Sequence, residues 1–148
     1  MPINSSRYYF LAGMACIGLL SVVSCNSNGS AQPNIPYAPV SALLTLTDQQ
    51  YRALRFDNGV VAIAGGVKGI LVVRQNASSY LAFERNCTYR SADACSRVGF
   101  DTSPAPFLRD SCCGAQFSLT GQVTGGPAPR ALLQYSTNLN GNQLSISN

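Results

Sequence analysis

The stretch that decides the fold is residues 109–135, RDSCCGAQFSLTGQVTGGPAPRALLQY, together with the segment NCTY at residues 86–89. It begins with a tight Cys-Cys-Gly turn, continues into a short apolar strand containing Phe117 and Leu119, and turns again at residues 120–121. Two glycines and two prolines within residues 125–129 predict a rigid loop, which is followed by a second strand at residues 132–136.

This pattern resembles the second half of the Rieske iron–sulfur domain, in which C-x-C-H-G-S-x-F is followed by a turn with glycine and then by G-P-A-P-R-x-L-x-x-Y. The matching positions are Gly114, Phe117, Gly121, residues 126–130, Leu132 and Tyr135. The family's first cluster loop, C-x-H, corresponds to residues 87–89. The resemblance covers roughly residues 62–146. It implies an antiparallel β-sandwich or barrel with a small two-loop subdomain, [2Fe–2S] binding and a role in electron transfer.

The ligand positions depart from the family pattern. A Rieske centre holds one iron with two cysteines and the other with two histidines. The resemblance puts Cys87 and Asp110 at the cysteine positions, and Tyr89 and Cys113 at the histidine positions. One ligand of four is therefore kept, and the chain contains no histidine at all. Composition alone thus excludes an authentic Rieske centre.

The composition favours an all-β fold and excludes several classes of function. The 148 residues suffice for one domain with a sizeable core, and 13 glycines and 8 prolines with few charges favour an all-β fold. The net charge of +4 comes from basic residues spread along the sequence, so nucleic-acid binding is not expected. Without histidine, Ser-His and Cys-His catalysis are excluded. An enzyme is not expected, because no catalytic spacing is recognisable among Asp48, Asp57, Glu84, Asp93, Asp101 and Asp110.

The N-terminus resembles a bacterial lipoprotein signal. Arg7 precedes an apolar run over residues 8–23, and Cys25 follows a small residue. We expect residues 1–24 to be a signal peptide, Cys25 to be lipidated and residues 25–36 to be a flexible tether. The alternative is an uncleaved anchor helix, although the run is shorter than the roughly 20 residues that a span needs. Either interpretation puts the protein in the cell envelope, facing the periplasm or the exterior, with a protein partner that the sequence does not identify.

Residues 37–148 are expected to form the Rieske-like domain, with the cluster-loop subdomain at about residues 85–126. Residues 48–57 are expected to be a linker or single helical turn, and residues 90–108 an ordered irregular loop. Apolar alternation and β-branched runs predict strands at residues 40–47, 60–64, 70–74, 80–84 and 143–146. Burial of Phe117, Leu132 and Tyr135 follows from this fold.

Once Cys16 is removed and Cys25 is lipidated, four cysteines remain: Cys87, Cys95, Cys112 and Cys113. An even number outside the cytoplasm is typical of disulfides. Many Rieske proteins have a disulfide between the two cluster loops, and this resemblance implies a Cys95–Cys112 bridge, with a Cys87–Cys113 bridge filling the space of the cluster. The alternative is that the cysteines, with Cys87 and Cys113 as the family's ligands, hold a [2Fe–2S] cluster or zinc.

Two function hypotheses remain. In the first, the protein is a cluster-free binding or structural module whose loops are joined by disulfides. In the second, it transfers electrons through a Cys-ligated [2Fe–2S] cluster. The missing histidines favour the first, so ligand chemistry predicts no cofactor, whereas the family resemblance implies [2Fe–2S].

Overall fold

The structure is a computed structural model that describes residues 35–148. The predicted signal peptide, the lipidation site Cys25 and most of the predicted tether lie outside the described residues. Within the described range, no helix has the length and apolar character needed to cross a membrane.

Residues 35–148 are mostly β-structure, which confirms the predicted all-β fold class. A short 3₁₀-helix, Gln49–Arg55, is the helical turn predicted between the first two strands. The strands are β1 (Ser41–Thr45), β2 (Val60–Ile63), β3 (Ile70–Asn76), β4 (Ser79–Glu84), β5 (Val98–Asp101), β6 (Phe107–Asp110), β7 (Gln116–Phe117), β8 (Val123–Gly125), β9 (Gln134–Asn140) and β10 (Gln143–Ser147).

The strands form two antiparallel sheets. The larger sheet has the order β1-β10-β9-β4-β3-β2, and the smaller has the order β5-β6-β7-β8. Strands β4 and β9 pair at only two positions, where Ala82 faces Tyr135 and Phe83 faces Gln134. The smaller sheet lies within the range expected for the two-loop subdomain.

Strand β3 is buried on both faces, which explains its uninterrupted apolar run of Ile, Leu, Val and Val. Ile70 and Val72 belong to one core cluster, whereas Leu71 and Val73 point the other way into a second. The first cluster includes residues of β1 and β10: Leu44, Leu144 and Ile146. The second includes residues of the smaller sheet: Val98, Leu108 and Phe117. The larger sheet therefore curls over one face of β3, and the smaller sheet packs on the other.

The burial predicted for Phe117, Leu132 and Tyr135 is confirmed. The irregular loop expected at residues 90–108 is wrong in part, because β5 and the start of β6 lie there. Val98 is buried and Phe100 packs against the same core cluster, so VGFD does alternate, but four residues that include a glycine give only a weak strand signal. Strand β8 was not predicted either, and it has no buried residue that could have indicated it.

Candidate functional site

Three loops meet around Cys87: residues 86–89 after β4, the turn at residues 110–115 between β6 and β7, and residues 125–130. The Thr88 hydroxyl donates a hydrogen bond of 2.8 Å to the Arg130 carbonyl, which joins the first loop to the third. Gly126 has a φ of 78°, and a Cβ there would lie 2.7 Å from the Ala115 Cα. Glycine is therefore required where the third loop packs against the turn.

The structure brings together three of the four positions at which the resemblance predicts cluster ligands. The Cys87 thiol, the Asp110 carboxylate and the Cys113 thiol, called here the donor triad, each offer an atom within 4.8 Å of the others. The two sulfurs are 3.9 Å apart. Cys87 and Asp110 are fully buried and Cys113 is half-buried. Tyr89, at the fourth position, is half-buried against the same core cluster.

Asp110 is held in place by the turn that it begins. Its carboxylate accepts a hydrogen bond of 2.8 Å from the Cys112 backbone N–H, and its backbone carbonyl accepts one of 2.8 Å from Gly114 N–H. The Ser96 hydroxyl lies 3.4 Å from its second carboxylate oxygen. An aspartate that bonds the backbone two residues on is typical of tight turns. Asp110, a ligand position only by the predicted resemblance, therefore has a structural role in the Cys-Cys-Gly turn.

The surroundings of Cys87 favour the neutral thiol. Burial raises the pKa of Cys87 to about 12, with further increases from a hydrogen bond to Asp110 and from the nearby Cys113; a backbone hydrogen bond at Tyr89 acts in the opposite direction. A thiol with a raised pKa is a poor nucleophile, because the reactive form is the thiolate. Cys87 is therefore not arranged as an activated catalytic cysteine.

The expected Cys95–Cys112 disulfide is formed, with Cα atoms 5.6 Å apart. It joins the segment before β5 to the turn of the donor triad. The expected Cys87–Cys113 disulfide is not formed, and both residues are free thiols. The two sulfurs are 3.9 Å apart, well beyond the bonded S–S distance of about 2.05 Å, and the Asp110 carboxylate lies beside both of them.

Sequence reasoning missed the structural role of Glu84, which ends β4 and is fully buried. Its carboxylate accepts hydrogen bonds of 2.7 and 2.9 Å from the backbone N–H groups of Val67 and Lys68, 2.9 Å from Asn86 N–H and 2.6 Å from the Tyr135 hydroxyl. Burial, and then the bond to Glu84, raise the pKa of Tyr135. The position of Glu84 at the end of the apolar strand YLAFE could have indicated its burial. A buried carboxylate needs several hydrogen-bond donors, which would then have been sought nearby.

Lys68 extends this network towards the disulfide. Its ammonium group donates hydrogen bonds of 3.0 Å to the carbonyls of Ser91 and Ser96, and another to the carbonyl of Asp93. The glycine turn before β3 thereby fixes the segment that carries Cys95. Glu84 thus holds the backbone just before Cys87, and Lys68 holds the segment that carries Cys95.

No protein-family model matches the chain, and no curated protein is significantly similar to it.

Proposed function

We propose that the protein is an exported, lipid-anchored binding or structural module built on a Rieske-type β-scaffold whose loops are held by a disulfide instead of a cluster. The observation that carries this proposal is the donor triad. It offers two thiols and one carboxylate, with Asp110 already hydrogen-bonded to its own turn. The residues at the former ligand positions therefore serve packing and turn formation.

Two features support the Rieske-type scaffold. The disulfide joins Cys95 to Cys112, the pair that the resemblance implied, and it connects the segment after the first loop to the second loop. Cys87 and Cys113, which come from different loops, lie side by side. Both features are expected if residues 86–89 and 110–115 are related to the two cluster loops.

A [2Fe–2S] cluster does not fit the residues present. Such a cluster needs four protein ligands, and the triad supplies three, of which one is an oxygen. The family pattern puts positions 87 and 113 on different irons, so a bound cluster would separate these residues. Their sulfurs are instead only 3.9 Å apart.

A second candidate function is binding of a single thiophilic divalent ion. Two thiolates on one tetrahedral zinc, with Zn–S distances of about 2.3 Å, lie about 3.8 Å apart, and the observed separation of the sulfurs is 3.9 Å. Asp110 would supply a third ligand. Binding would require Cys87 to lose its proton, which a nearby cation favours.

Anaerobic reconstitution of the full chain with ferrous iron and sulfide, beside a titration with Co²⁺, distinguishes these functions. The module proposal expects no stable visible chromophore from either treatment. Thiolate-to-cobalt absorption that disappears in Cys113→Ser would favour the single-ion function. Stoichiometric iron and sulfide retained after desalting would contradict the proposal and restore electron transfer.

The anchor is tested separately. We propose that Cys25 is acylated after removal of residues 1–24, so that about ten residues separate the lipid from the described domain. Palmitate labelling of the chain in a bacterial host should be lost in Cys25→Ala and kept in Cys16→Ala. Labelling that persists in Cys25→Ala would contradict the lipoprotein proposal without affecting the proposal about the domain.

A further inference from the structure

Three arginines that are far apart in sequence line one open groove beside the disulfide. Arg85, Arg97 and Arg109 come from the end of β4, the approach to β5 and the middle of β6, and the groove has a volume of about 540 Å³. The basic residues are dispersed along the sequence, which predicted no basic cluster. The fold corrects this interpretation, because the pairing of these strands collects three of them on one surface.

The backbone explains why the three side chains converge. Asn86 and Arg97 form an antiparallel bridge, which brings the end of β4 against the start of β5. The Arg85 Nε donates a hydrogen bond of 2.8 Å to the Val98 carbonyl, so this guanidinium is fixed in position. A Cβ built on Gly69 would lie 3.1 Å from the Arg85 Cδ and 3.5 Å from an Arg97 terminal nitrogen. Both side chains therefore pass over the same glycine.

Arg109 completes the groove from the neighbouring strand. It pairs with Gly99 across the β5–β6 ladder, where the partner has no side chain to cover it. Arg97 and Arg109 are both exposed, whereas Arg85 is half-buried. One fixed guanidinium is thus accompanied by two that are free to close on a ligand.

The positive charge of the groove is largely uncompensated. Within residues 35–148 the ion pairs are Arg74–Asp57 and Arg90–Asp93, and neither involves the groove. Asp101 is the acidic residue of the groove lining, and it accepts a hydrogen bond of 3.0 Å from Ser103 N–H. Burial, followed by the nearby charge of Arg97, lowers the pKa of Arg85, whereas the charge of the buried Glu84 acts in the opposite direction. Within the groove lining, three arginines are therefore accompanied by one carboxylate, that of Asp101.

We propose that this groove is a binding site for an oxyanion of the phosphate class. The planar guanidinium fork matches the oxygens of a phosphate group in bidentate geometry. The Ser111 hydroxyl also lines the groove and is a further donor for the same ligand. A free phosphate and the phosphodiester of a lipid headgroup share this chemistry. The site is separate from the donor triad, so the inference does not depend on whether a metal binds there.

The test is a calorimetric titration of the full chain, in nonionic detergent, with inorganic phosphate at constant ionic strength. We expect saturable binding that Arg97→Gln and Arg109→Gln each weaken by about tenfold, which corresponds to one lost charge-assisted contact. Arg97→Lys should bind with intermediate affinity, because it keeps the charge and loses the fork. The matched control is Arg52→Gln, an exposed arginine on the 3₁₀-helix outside the groove, which should bind as the unchanged protein does.

A parallel titration with glycerophosphoglycerol, a soluble phosphodiester headgroup, distinguishes the two sources. Tighter binding of inorganic phosphate indicates a free phosphate, and tighter binding of the diester indicates a lipid headgroup. Failure of both to saturate, or binding that the groove variants and Arg52→Gln weaken equally, overturns the proposal. Circular dichroism of each variant confirms that any loss occurs in folded protein.

Discussion

Two buried polar groups at the end of β4 are satisfied in different ways. Glu84 accepts four hydrogen bonds from groups that come from the glycine turn, its own strand end and β9. The Cys87 thiol instead faces the Asp110 carboxylate and a second sulfur. At the scale of single residues, the first arrangement stabilises the fold and the second determines the chemistry of the candidate site.

Glu84→Gln should lower the free energy of unfolding by about 3 kcal/mol, because an amide NH₂ would face donors that now bond to a carboxylate oxygen. Tyr135→Phe removes one of the four donors and should cost about 1.5 kcal/mol. Urea unfolding of both variants checks the comparison. A loss in Glu84→Gln no larger than that in Tyr135→Phe would contradict the role assigned to Glu84.

The two free thiols should differ in reactivity. In the folded protein near pH 8, Cys113 is expected to react with Ellman's reagent, whereas Cys87 should react only after unfolding, because it is buried and its pKa is raised to about 12. In Cys113→Ser the fast phase should disappear. A fast-reacting thiol that remains in this variant would show that Cys87 is accessible.

The same raised pKa predicts a loss of stability in alkali. The unfolded Cys87 thiol loses its proton near its ordinary value of 9.0, and the folded one keeps it to about 12. Between these values the unfolded state binds fewer protons, so the free energy of unfolding falls as the pH rises. Thermal unfolding measured from pH 8 to pH 11 should show a shallower decline in Cys87→Ala. Equal slopes in the two proteins would contradict the assignment.

At the scale of elements, some strands could be predicted from the sequence and others could not. The hairpin of β2 and β3 and the following β4 have β-branched or alternating residues that reflect burial. Strand β5 alternates over only four residues, one of them Gly99, and β8 has no buried residue, so neither has a strong local strand signal. The burial of Asp110 beside the Cys87–Cys113 pair was also missed, although the alternation of β6 puts Asp110 on the same face as the buried Leu108.

The Cys95–Cys112 bridge should be the main covalent support of the two-loop region. It closes a loop with a sequence separation of 17 residues, so removing it should cost about 3 kcal/mol in the chain-entropy model. The double variant Cys95→Ala/Cys112→Ala is compared with the unchanged protein by urea unfolding, with and without reductant. Reductant should destabilise only the unchanged protein. An equal effect of reductant on both would mean that another disulfide contributes.

At the scale of the whole molecule, one core cluster lies within the larger sheet and the other joins the larger sheet to the smaller one. The donor triad and the arginine groove both lie where the smaller sheet meets the end of β4. The triad positions could be identified from the resemblance, because they follow local motifs. The groove could not be identified, since its three arginines are brought together only by long-range strand pairing.

Native mass spectrometry of the protein after export and processing tests the central claim most directly. It reports the disulfide and any bound metal in one measurement. We predict the mass of the polypeptide with its lipid, less the two hydrogens of a single disulfide and without added iron or zinc. A stoichiometric mass increment of two irons and two sulfides would contradict the account and identify the protein as an electron-transfer protein.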